Sequence, residues 1–138
     1  MAPPFGRGRR ERAAQDRATR AEVERLRALP RAELAVELMG AFGPEGPRSH
    51  AVARRTPNLI ELTEWLLRAQ ARPGRHVLEL AGPVRDALRM LEHAGLIEWR
   101  GSEMVGTRAR LGATALGDVA LAQGTVWEYL DEETDDAP

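Results

Sequence analysis

The chain of 138 residues contains no cysteine. That excludes disulfides, thiolate metal sites and thiol nucleophiles together, and makes a cytoplasmic setting the default expectation. Lysine is absent too: all 20 basic residues are arginine. Arginine's planar fork suits phosphate, but with abundant Ala, Gly and Pro the same bias follows from a GC-rich genome, which is the simpler account. No stretch approaches the roughly eighteen consecutive apolar residues of a membrane span, and no apolar segment follows the arginine-rich start, so neither a membrane partner nor a secretory signal is expected. His50, His76 and His93 stand 26 and 17 residues apart, which is not metal-ligand spacing. A phosphate-cradling glycine loop, a nucleophile elbow and an HExxH motif are all missing. No enzyme, metal or cofactor is expected.

What is present reads as one soluble domain. Hydrophobic residues make up 43% and charged residues 30%, ordinary values for a globular chain of this length. The net charge of −1 conceals a gradient. Residues 1–31 hold nine arginines against four acids, a net of +5. Residues 32–126 hold eleven of each, and residues 127–138, "WEYLDEETDDAP", hold six acids and no base. A basic start, a neutral body and an acidic end form the electrostatic outline.

The opening "MAPPFGRGRRERAAQDR" has almost no apolar residue, so residues 1–17 are expected to form a disordered basic arm. Residues 18–55 then supply two helices and a connector. Val23, Leu26 and Leu29 share a face, Pro30 suits the first turn of the next helix, and Leu34, Leu38 and Ala41 continue it until Gly43 and Pro44. Residues 56–124 carry the main domain. Thr56-Pro57 reads as an N-cap and first helical position. Leu59, Leu62, Leu66 and Ala69 form a buried stripe closed by Pro73-Gly74. "RHVLELA" is helix or strand, which periodicity does not decide. Gly82-Pro83 reads as the opening of a further helix with Val84, Ala87, Leu88 and Leu91 inward and Arg85, Asp86, Arg89, Glu92 and His93 outward. Gly95 fits a left-handed helix stop. "LIEWR" and "TRARL" alternate as two strands about a "GSEMVG" tip, with Arg108 and Arg110 on one face. Thr114 caps a last helix ending at Gly124, whose inward candidates are Leu116, Val119 and Ala120. Residues 125–138 form an acidic tail.

The pattern "VRDALRMLEHAGLI" resembles the third helix and first wing strand of winged helix-turn-helix regulators, whose usual form is close to "V…AL..LE.AGLI". "TALGDVALAQG" resembles the family's "T.LG..AL..G" helix after the wing. In place of the family's "LA..LG.S" second helix this chain has "RHVLELAGP". The resemblance, spanning roughly residues 56–124, implies a mostly α fold with a small two-stranded β-wing, preceded here by the N-terminal helices. It implies a DNA-binding transcriptional regulator that reads duplex DNA with the helix at 83–94 and holds phosphates with its wing.

On that implication Arg85 and Arg89 face the major groove, where arginine bridges O6 and N7 of guanine. The competing account is a solvated helix face with Arg89 paired to Glu92 or Asp86. Arg100, Thr107, Arg108 and Arg110 flank the wing tip, with Glu103 the only acid among them, and are expected on phosphates. Charge that keeps an edge strand from pairing is the other account. Arg7, Arg9, Arg10 and Arg12 are candidate arm contacts, or a solubilising segment. The alternative function is a winged-helix adaptor for proteins. The N-terminal helices and Trp127 are the expected surfaces for a homodimer or protein partner.

Overall fold

A computed structural model describes residues 4–46, 57–70, 74, 76–100 and 110–130. Helices dominate: α1 (Pro4–Ala28), α2 (Arg31–Met39) with a 3-10 turn (Gly40–Phe42), α3 (Leu59–Leu66), α4 (His76–His93) and α5 (Ala115–Gln123), with a second 3-10 turn at Val126–Tyr129. Between α4 and α5 lies one antiparallel hairpin, β1 (Ile97–Arg100) and β2 (Arg110–Ala113). Among the described residues no helix is long and apolar enough to cross a membrane.

The hub is α4, which packs against α1, α2, α3 and β1. Its buried residues are His76, Val77, Leu80, Val84, Ala87, Leu88 and Leu91. From His76 through Leu80, Val84 and Ala87 to Leu91 they recur every three or four residues, straight through Gly82-Pro83. That corrects the expectation that Gly82-Pro83 opens the helix: Pro83 lies inside it. An interior proline costs about 3 kcal/mol through its missing N–H and its ring. Fully burying Val77 and Leu80 returns about 1.5–3 kcal/mol each. Burial wins, and "RHVLELA" becomes the first two turns of α4.

The exit from α4 follows the expectation. Gly95 takes φ +80°; its N–H donates to Glu92 O at 2.9 Å, and Leu96 N–H donates to Leu91 O at 3.0 Å. This paired capping needs a left-handed residue at the first position past the helix. Leu96 and Ile97 are thereby buried at once, at 0% and 2% exposure. The hairpin register is Ile97 to Ala113, Glu98 to Gly112, Trp99 to Leu111 and Arg100 to Arg110. Thr114 then caps α5 by accepting from Gly117 N–H at 3.0 Å, while its hydroxyl donates to Gly95 O at 2.6 Å. One residue thus ties the start of α5 to the end of α4.

Three further expectations shift. The cap of α3 is Asn58, not Thr56, which lies outside the described residues. Asn58 Oδ1 accepts from Glu61 N–H at 2.9 Å and Asn58 N–H donates to Glu61 Oε1 at 3.0 Å, a reciprocal capping box. Pro57 precedes the helix, its carbonyl accepting from Leu111 N–H at 3.0 Å, so this segment is stitched to β2. On α5 the inward residues are Gly117 and Ala120, while Leu116 and Val119 are 39% and 47% exposed. A Cβ at Gly117 would lie 2.1 Å from Leu96 O. The helix therefore approaches the Leu96 backbone on its small-residue side, and Leu116 and Val119 turn outward while Leu121 packs against the core.

Finally, α1 begins at Pro4, so residues 4–17 are helical where disorder was expected. Between Arg9 and Ala18 every side chain is exposed, and burial begins at Thr19. Ala, Arg, Glu and Gln are good helix formers, and the helix anchored by Val23 and Leu26 propagates back through them. Arg25 fastens α1 to α2, donating to Glu22 at 2.8 Å and to Glu37 at 3.1 Å. The hydrogen bond from Arg25 holds the Glu22 carboxyl below its ordinary value, against the opposing effect of partial burial. Pro30 occupies the cap position before α2, not its first turn.

Candidate nucleic-acid interface

The outward face of α4 follows from its buried one. Opposite His76, Leu80, Val84, Ala87 and Leu91 run Leu78, Gly82, Arg85, Arg89 and His93, all exposed. Their spacing of four, three, four and four residues makes one continuous ridge. Both candidate reading residues of the sequence, Arg85 and Arg89, stand on it. Among the described residues neither has an ion pair.

Two of the acids near this ridge, Asp86 and Glu79, are answered by other elements; Glu92, three residues from Arg89, has no ion pair among the described residues. Arg31, at the start of α2, sits 3.8 Å from the Asp86 carboxylate. Arg20 of α1 sits 4.0 Å from Glu79, which also lies 3.4 Å from the Nδ1 of buried His76. Asp86 is thus engaged by Arg31 and not by Arg89, contrary to the solvated-pair account. These pairs are exposed and contribute little to stability. Their importance is to the local field: two carboxylates beside the ridge are matched, while two guanidinium groups on it are not.

The hairpin is less available than its arginine count suggests. Arg100 and Arg110 face each other across the strands, a repulsive pairing that each relieves separately. Arg100 folds back over Gly112, donating to Ala113 O at 2.6 Å and lying 3.2 Å from Glu98. Arg110 lies 3.9 Å from Glu61, the residue that closes the cap of α3. Both expected phosphate contacts on the hairpin thus already have a carboxylate neighbour, Glu98 at Arg100 and Glu61 at Arg110. Thr107 and Arg108, with the hairpin tip at 101–109, lie outside the described residues, as does the acidic tail at 131–138.

Arg7, Arg9, Arg10 and Arg12 lie on α1, and Arg9, Arg10 and Arg12 are exposed. They are carried on a helix, which spaces them along one side and the next by its turn. His50 lies outside the described residues. Among those described, no group of three or more His, Asp or Glu side chains could hold a metal ion. Trp65 is structural, its indole N–H donating to Glu45 O at 3.1 Å under the stacked Arg68 guanidinium. Trp127, in contrast, is 68% exposed.

Two features of the surface are not apparent in the sequence. One is the matching of Asp86 and Glu79 by arginines of α1 and α2, a purely tertiary arrangement. The other is the extension of the ridge to Leu78 and Gly82, concealed by the Gly-Pro pair. No protein-family model, curated protein or solved structure matches the chain.

Proposed function

We propose that the protein binds duplex DNA as a winged-helix transcriptional regulator, with α3 and α4 as its helix pair, α4 as the reading helix and β1–β2 as the wing. The observation that carries this reading is the α4 ridge, where Arg85 and Arg89 are exposed and without an ion pair among the described residues, while two of the nearby acids, Glu79 and Asp86, are matched by Arg20 and Arg31. An arginine in that setting can offer both arms of its fork to guanine O6 and N7. The exposed arginines of α1 supply a second, sequence-independent attraction to phosphate. An anisotropy titration of random duplex DNA at two salt concentrations tests it. Binding tightens steeply at the lower salt if the reading holds. Affinity no better than millimolar at low salt would sink it.

A protein-facing surface, for a second copy of the chain, has its own observation. Leu116, Val119, Trp127 and Tyr129 are exposed by 39%, 47%, 68% and 40%, and Ala115, Val119 and Ala122 align on the outer side of α5 with no charge among them. We infer that this side pairs two copies of the chain. A dimer of this kind suits the DNA reading, since a two-fold protein matches a palindromic site. Sedimentation is expected to show a dimer that Val119→Glu converts to monomer with little change in melting temperature. A wild-type chain that stays monomeric at high concentration removes the dimer.

A further inference from the structure

Among the described residues nothing covers the amino-terminal half of α1. Every side chain from Arg9 to Ala18 is exposed, and burial begins at Thr19. A short helix that is polar all round is marginal in water unless ion pairs or a partner support it. Ion pairs do not support this one: among the described residues Arg9, Arg10, Arg12 and Arg17 have none. Residues 4–18 hold five arginines against two acids, Glu11 and Asp16, a local net of +3. Arg9 and Arg12, three residues apart, are neighbours on the helix surface, where like charges repel. The hairpin differs, since Arg100 and Arg110 each have a carboxylate beside them.

The chain itself carries a segment of complementary charge. Residues 131–138 hold five acids, Asp131, Glu132, Glu133, Asp135 and Asp136, and no base. The segment starts from Leu130, which is buried at 6% exposure. The turn at Val126–Tyr129 just before it packs against α2. That same helix holds α1, through Arg25 and Glu37 at 3.1 Å. From Arg25, α1 runs about 12 Å back to Arg17 and about 20 Å to Arg12. Eight extended residues reach about 26 Å. We propose that residues 131–138 dock in cis along the exposed half of α1, with their carboxylates on Arg12, Arg17 and the arginines before them. The segment is then a built-in competitor for any polyanion that α1 attracts. Only this consequence rests on the DNA reading: a duplex has to displace the segment before it meets these arginines.

The test uses the full chain, and the absence of cysteine makes it clean. A single cysteine appended after Pro138 takes a nitroxide label, and amide signals are followed by NMR at low salt. Amides of residues 9–18 should lose most of their intensity, and should recover it in 500 mM salt as exposed ion pairs are screened (about 3–4 Å Debye length). Replacing Arg9, Arg10, Arg12 and Arg17 with glutamine, a good helix former, should abolish the loss. So should Asp131→Asn, Glu132→Gln, Glu133→Gln, Asp135→Asn and Asp136→Asn together, which leaves the folded part untouched. No loss at residues 9–18, or loss centred on the hairpin or α4, overturns the inference. So does loss seen only when labelled and unlabelled chains are mixed, because the occupant is then a second copy. Deleting residues 131–138 should tighten binding of random duplex DNA roughly five- to tenfold at low salt, the combined worth of a few exposed ion pairs. Equal affinity with and without the segment overturns the competition and leaves DNA binding standing. If neither chain binds duplex DNA, the DNA reading has failed, and the label alone decides the docking.

Discussion

Replacing Leu91 with alanine is expected to cost about 2–5 kcal/mol of stability, a large share of what a small domain has. Leu91 is 0% exposed on the buried stripe of α4, the helix that packs against α1, α2, α3 and β1. Its carbonyl also accepts the Leu96 N–H that turns the chain from α4 into the hairpin. Truncation removes three carbons from a site with little room to collapse, because several elements hold it from different sides. A cavity term therefore adds to the lost transfer energy. Leu88, at 5% exposure on the same helix, should behave similarly but more mildly. Urea melts of the two variants check this. A loss below about 1 kcal/mol for Leu91→Ala would mean that the inward face of α4 has been misassigned.

The parts of this fold legible in the sequence are those whose causes are local. Val84, Ala87, Leu88 and Leu91 repeat at helical spacing, and all four are buried. Gly95 stands where a left-handed residue must, and takes φ +80°. Thr114 carries the hydroxyl that a cap needs, and it caps α5. The parts that were not legible depend on competition between local and distant terms. Gly82-Pro83 is a sound stop signal taken alone, yet burial of Val77 and Leu80 ahead of it outweighs the proline. On α5 the larger apolar residues were the natural inward choice. The close approach of Gly117 to the Leu96 carbonyl decides otherwise, and no helical periodicity contains that distance. Asn58 and Glu61 formed a readable capping box, but Thr56-Pro57 two residues earlier offered an equally good start. The candidate interface divides in the same way. Arg85 and Arg89 were legible because the opposite face of their helix was. The capture of Arg110 by Glu61 was not, since it joins residues far apart in sequence, whereas Glu98 beside Arg100 obeys the period-two rule of a strand and was available to be read.

That division sets the final expected result, which concerns salt. Each arginine–phosphate contact on duplex DNA should contribute about −0.9 to the slope of log affinity against log salt. Exposed Arg9, Arg10 and Arg12 of α1 have no ion pair among the described residues. Replacing all three with glutamine should therefore make the slope shallower by up to about 2.7, and should weaken binding to every sequence alike. Replacing Arg100 and Arg110 should change the slope by less than the roughly 1.8 that two free cations would give. Each is already held by a carboxylate, Glu98 at 3.2 Å and Glu61 at 3.9 Å, and binding DNA exchanges one anion for another. Arg89→Gln should act in a third way, erasing preference at one base position at about 1–3 kcal/mol while leaving the slope nearly intact. The three sets measured on one selected duplex from 50 to 200 mM salt separate these roles. If the hairpin pair moves the slope more than the α1 triple does, the wing holds the backbone after all and its ion pairs open on binding. If neither pair nor triple moves the slope, phosphate contact by these arginines is excluded, and the α4 ridge is left as a surface for a protein.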